Sequence, residues 1–179
     1  DRGYVPREED ERRIEKLLFG MRATESIWIA SPRRSGKTTT LFRILDSFSQ
    51  KAGRDSAVVA YFTLTKCFDS DAEFNKWIWN QLQESDNVEL REQMKDFDVL
   101  GTKLPREGDI KHFLGSLVDG IRTQTKCPRV VFLLDEVDKF TEGHIKGGKH
   151  REFVDSFMWQ VRHLVGSRKD FAFVFSGAP

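Results

Sequence analysis

The sequence is short of cysteine, of net charge and of long apolar runs, and each shortage removes a class of protein. Cys67 and Cys127 are the only two cysteines in 179 residues. They stand far apart, in no metal-ligand spacing. That excludes a disulfide scaffold and a cysteine-bound zinc, and it fits a reducing compartment. No apolar run approaches the ~18 residues of a membrane span, so no membrane partner is expected. Basic and acidic residues nearly cancel, 29 against 28, for a net charge of +1. A strongly basic nucleic-acid coat is thereby excluded, although a local basic patch stays open. The charged start, Asp1-Arg2-Gly3-Tyr4, is no signal peptide, and it lacks an initiator Met. The expectation is a segment of a longer cytoplasmic protein. No internal repeat or low-complexity tract is found.

What is present is core material. Fifteen Phe and four Trp rule out disorder as a global description. The apolar pattern alternates between helical and strand periods. Helical runs are Glu8–Phe19, Thr38–Gln50 (Leu41, Ile44, Leu45, Phe48), Asp71–Gln83 (Phe74, Trp77, Ile78, Leu82), Asp109–Thr123 and Glu152–Val165. Asp109 is placed to cap its helix. Strand runs are Ser26–Ala30, Ala57–Leu64, Arg129–Leu134 and Phe171–Phe175. The stretch from Ser85 to Gly108 reads as a loop with one short helix near Leu90–Phe97, and Gly143–Lys149 as a flexible glycine-rich loop. Strands alternating with helices predict a three-layer αβα fold around a parallel sheet.

Two segments carry chemistry. Ser31-Pro32-Arg33-Arg34-Ser35-Gly36-Lys37-Thr38 fits G-x-x-x-x-G-K-[ST] except at Ser31. A strand precedes it and a helix follows, so unsatisfied backbone N–H groups and the helix dipole face an anion. Gly36 allows close backbone approach. Lys37 would sit on the β- and γ-phosphates, Thr38 would ligate Mg²⁺, and Thr39 would add a phosphate contact. Ser31 is strained if its position needs positive φ, and harmless if only small size is needed. Arg33 and Arg34 read as solvated charges, with phosphate or partner contact the alternative.

The second segment is Val130-Val131-Phe132-Leu133-Leu134-Asp135-Glu136, a buried strand that delivers two carboxylates to the carboxyl edge of the sheet. Asp135 would hold Mg²⁺, and Glu136 would orient or deprotonate an attacking water. Each motif alone has a plain reading: a chance Gly-Lys-Thr at a helix start, or an acidic pair opening a helix. Their combination favours the chemical one. Ser176, after the last strand, would reach the γ-phosphate if that strand lies beside the phosphate-loop strand. A turn-forming Ser-Gly pair fits equally well. His144 and His150 have no third ligand at metal spacing, and His112 and His163 lie within helices.

These residues resemble a known family. The loop resembles the Walker A motif, and Val130–Glu136 with Val137-Asp138 resembles Walker B of AAA+ proteins. Tyr4-Val5-Pro6-Arg7-Glu8-Glu9-Asp10 resembles the box preceding the phosphate loop in STAND and archaeal-type AAA ATPases. Ser176-Gly177-Ala178-Pro179 is similar to the closing segment of bacterial AAA-like signalling ATPases, one residue shorter. The resemblance implies a strand order 5-1-4-3-2, Ser176 as a sensor residue, and Tyr4, Val5 and Arg7 near the adenine. The fifth strand, helical lid, sensor-2 arginine and arginine finger are not placed in this segment. Arg162 or Arg168 could act on a neighbouring subunit, with surface charge the safer assignment.

The expectation is one ATPase domain over 1–179, with a nucleotide-flanking segment in 1–24 and the αβα core in 25–179. Its cofactors would be ATP or ADP and Mg²⁺. Its partners would be nucleotide, further copies of the domain, and effector or sensor domains elsewhere in the parent protein. The function expected is Mg-dependent ATP hydrolysis coupling nucleotide state to assembly in a regulatory or signalling protein. A slow nucleotide switch and a DNA-associated regulator are the alternatives.

Overall fold

A computed structural model describes residues 9, 12–14, 16, 26–30, 32, 35–50, 57–84 and 108–178. The elements in chain order are β1 (Ile27–Ala30), α1 (Lys37–Gln50), β2 (Val58–Thr63), α2 (Asp71–Gln83), α3 (Ile110–Thr125), β3 (Val130–Asp135), α4 (Asp138–Lys146), α5 (Gly148–Ser167) and β4 (Phe171–Gly177). The four strands form one sheet in the order β1-β4-β3-β2, and every neighbouring pair is parallel. The expected order 1-4-3-2 is therefore present.

Burial explains the strand sequences. Every residue of β3 and β4 is buried, as central strands of a sheet covered on both faces require. Side chains alternate between the faces. Phe62, Phe132, Phe171, Phe173 and Phe175 point to the face covered by α2, α3 and α5. Edge-to-face contacts link Phe132 to Phe62 and Phe171, with centroids 5.2 Å apart in both pairs. Val59, Val131, Leu133, Ala172 and Val174 point to the other face, against Leu41 and Ile44 of α1 and Ile14.

Local signals set the helix ends. The Asp109 carboxylate accepts from the His112 N–H at 2.7 Å, capping α3. Lys126 closes that helix in the left-handed conformation. Ser70 Oγ caps α2, and Glu73 reaches back to the Asp69 N–H at 3.0 Å.

The glycine-rich stretch 143–149 is not the flexible loop that its composition suggests. α4 runs through it to Lys146, and α5 starts at Gly148, earlier than the expected Glu152. Gly143 serves a close approach within α4, since a Cβ there would lie 3.2 Å from Cys67 Sγ. The chain turns at Gly147 and Gly148, whose φ values of +72° and +58° disfavour other residues. The strand expected at Phe171–Phe175 continues to Gly177. The helix expected near Leu90–Phe97 lies outside the described residues, as do Leu17, Leu18 and the side chain of Phe48.

Candidate functional site

The parallel register decides which residues can meet. Thr63 lies beside Asp135, and Tyr61 beside Leu133. All four side chains belong to the face under α1, whose amino end sits over the carboxyl edge of the sheet. Thr38, on the first turn of α1, therefore reaches Asp135, the last residue of β3. The Thr38 hydroxyl donates to Asp135 Oδ2 at 2.7 Å across 97 residues of sequence. Gly36 precedes the helix with φ of +86°, and its carbonyl accepts from the Thr40 N–H at 3.0 Å, opening the first turn. Lys37 Nζ donates to the Pro32 carbonyl at 2.8 Å, crossing the loop. Pro32 and Thr39 are exposed, and Ser35 is half-buried.

Asp135 is 3% exposed. Its Oδ2 also accepts from the Tyr61 hydroxyl at 3.1 Å, and its Oδ1 accepts from the Glu136 N–H at 2.9 Å. Among the described residues every donor to this carboxylate is neutral. A buried carboxylate in that state is suited to a cation. The Thr38 hydroxyl and the Asp135 carboxylate are hard oxygen donors of the kind Mg²⁺ takes. The donor set thus fits the metal. No group of three or more His, Cys, Asp or Glu is placed to hold a metal ion among the described residues.

Tyr61 carries no signal in the sequence beyond strand propensity. Its hydroxyl accepts from Thr63 Oγ1 at 3.1 Å, and its ring lies 4.7 Å from that of Phe42. Burial pushes its pKa up to about 12; the nearby Asp135 and Glu136 charges add to the rise, and the Thr63 hydrogen bond opposes it. It stays a protonated donor at neutral pH. Only the register of β2 against β3 could have singled it out.

Glu136 stands exposed at the turn after β3, with φ of +59°. A non-glycine residue in that region carries strain. The turn is clamped from behind: the Val137 N–H donates to the Ser176 carbonyl at 2.9 Å. Gly177 permits the approach, because a Cβ there would lie 2.8 Å from Val137 Cγ2. β4 does lie beside β1, with Ser176 opposite Ile29. By alternation with Ala172 and Val174, Ser176 is on the face that carries Asp135. Its hydroxyl is fully buried and has no hydrogen-bond partner among the described residues.

Other expected residues either stand apart from this constellation or fall outside the described residues. Tyr4, Val5, Arg7, Ser31, Arg33 and Arg34 lie outside the described residues. Arg168 is not a solvated charge. It ends in a partly buried network, donating to Asp170 Oδ1 and Oδ2, each at 2.8 Å. It also donates to Asp119 and to the Gly115 carbonyl. Arg162 is exposed. His144 pairs with Asp155 at 3.5 Å and His150 with Asp69 at 2.6 Å. Neither cysteine forms a disulfide. No described helix is long and apolar enough to cross a membrane.

A protein-family model described as an AAA domain matches residues 22–179. A comparison with curated proteins finds no match.

Proposed function

The chain belongs to the AAA domain family, and from that premise we propose that it binds and hydrolyses Mg-ATP as one module of a larger regulatory protein. An AAA domain is a nucleotide-binding ATPase module; the finer assignment rests on the site. The observation that carries it is the 2.7 Å hydrogen bond joining Thr38 to Asp135. It unites the two motifs in the arrangement that Mg-nucleotide chemistry needs.

In this reading the backbone N–H groups around Gly36 and the charge of Lys37 bind the phosphates. The rest of the loop, from Ser31 through Pro32, Arg33, Arg34 and Ser35, wraps them, and Thr39 adds a contact. Thr38 and Asp135 would hold Mg²⁺, which would neutralise phosphate charge when bound. Glu136 orients the attacking water and accepts its proton. Its exposure and its left-handed turn suit a group that must leave the sheet to meet substrate. Ser176, buried and without a hydrogen-bond partner among the described residues, contacts the γ-phosphate side. Tyr4, Val5 and Arg7 flank the adenine. The parent protein supplies signalling or sensor domains, and the domain associates with further copies of itself.

The test is Mg-ATP turnover per subunit over a range of protein concentrations, beside Glu136→Gln. The expected result is turnover that rises with concentration and falls at least about 100-fold in the variant, with ATP affinity kept. Equal rates in both proteins remove Glu136 from the mechanism. Tight binding with negligible turnover at every concentration replaces the enzyme with a nucleotide switch.

A further inference from the structure

The network around Asp135 contains one member that the proposed chemistry leaves without a task. We propose that Tyr61 is a positioning residue for the cation end of the site. Its hydroxyl, 3.1 Å from Asp135 Oδ2, fixes the carboxylate in the orientation that faces Thr38. The proposal rests on the Mg-nucleotide reading above and deepens it.

The two oxygens of Asp135 are restrained by different parts of the molecule. Oδ1 is held by the N–H of the next residue. Oδ2 is held by Thr38 from the helix and by Tyr61 from the sheet. The Thr38 hydroxyl must also serve the cation, so it is a poor sole anchor. Tyr61 supplies an anchor that does not depend on the nucleotide loop. It is itself held at both ends. The hydroxyl accepts from Thr63, and the ring packs on Phe42.

The phenol leans forward along β2. Tyr61 pairs with Leu133, while Thr63 pairs with Asp135. The side chain thus spans one pleat to reach a carboxylate two residues on. A tyrosine is long enough for this reach, and a phenylalanine at the same place would fill the same volume with nothing to donate. The ring touches no reacting atom, so the role is to position Asp135. Partners that orient a metal's ligands commonly matter about 10–100-fold in metal affinity.

The experiment uses Tyr61→Phe, which keeps the ring against Phe42 and removes the donor. Binding of a non-hydrolysable ATP analogue is measured in EDTA and across a Mg²⁺ titration. Mn²⁺ serves in parallel as the probe, its free fraction read by electron paramagnetic resonance. The expected result is analogue affinity in EDTA unchanged within about twofold, with the Mg²⁺ and Mn²⁺ requirement raised about tenfold. Thr63→Val, which leaves Tyr61 in place, should raise it by a smaller factor. An unchanged cation requirement in Tyr61→Phe overturns the positioning role while leaving the nucleotide site standing. Equal loss of affinity with and without cation also overturns it, because that is the signature of general disruption. A wild-type protein whose analogue binding ignores Mg²⁺ overturns both this role and the reading beneath it.

Discussion

Two aspartates terminate neighbouring strands at opposite ends of the sheet, and they are stabilised by opposite means. Asp170 precedes β4 at the amino end. Arg168 and Arg122 both pair with it, and the Arg168 hydrogen bonds hold its carboxyl below the usual range. The same bonds, to Asp170 first and Asp119 second, push Arg168 further above its ordinary value. Asp135 closes β3 at the carboxyl end. It is more deeply buried, yet among the described residues only neutral groups donate to it. One end of the sheet pairs its carboxylate with two arginines, and the other holds its carboxylate with neutral donors alone among the described residues.

The largest expected effect follows from that asymmetry. A ligand that binds only the folded state stabilises it by about 2.7 kcal/mol at one hundred times its dissociation constant. Mg-ATP should raise the urea midpoint of the wild-type protein accordingly. Asp135→Asn should abolish most of this gain. The variant alone keeps an acceptor for Thr38 and Tyr61 but sets an amide NH2 against the Glu136 N–H, so an intrinsic loss of about 1 kcal/mol is expected beside the lost ligand effect. Retention of the full Mg-ATP shift in Asp135→Asn would break the comparison.

Asp170→Asn is expected to do the reverse, leaving nucleotide binding unchanged and lowering stability at pH 7 by about 1–2 kcal/mol. The figure is kept small because Asp119 and part of the network face solvent. The pH dependence has a definite sign. Asp170 has a folded pKa depressed below 3.8. Its contribution is complete above the unfolded value and is lost as pH falls through the folded one. The gap between wild type and variant, measured by urea unfolding, should be full at pH 7 and should shrink from about pH 4 downward.

The contrast also separates what the amino-acid sequence discloses from what it does not. Val130–Glu136 is readable because a continuous apolar run ending in acids has few other structures open to it. The Gly-Lys-Thr segment is readable because strand and helix periods flank it. Both are local. The links of Arg168 to Asp119 and of Arg122 to Asp170, and the Tyr61–Asp135 bond, are not local. The arginine links need α3 packed beside the α5–β4 connection, and the tyrosine bond needs the β2–β3 register. The stretch 143–149 misleads for a different reason. Its glycines look like loop residues, whereas Gly143 is small because Cys67 packs against it inside a helix.

The smallest effect tests whether the strain at the carboxyl end is retained for function. Glu136 and Lys126 are the two described non-glycine residues with positive φ, at +59° and +57°. Lys126 merely ends α3, a position that glycine commonly fills. Replacing either with glycine removes a left-handed penalty of about 1–2 kcal/mol and adds back about 0.5–1 kcal/mol of unfolded-chain entropy. Both variants should therefore gain about 0.5–1 kcal/mol, measured by urea unfolding. They should differ in turnover, which Glu136→Gly loses and Lys126→Gly keeps. A stability gain at both positions with loss of turnover at one identifies Glu136 as a residue kept in an unfavourable conformation for its carboxylate. A loss of stability in Glu136→Gly would mean instead that the Glu136 side chain holds the turn together, and the two ends of the sheet would then both be structural.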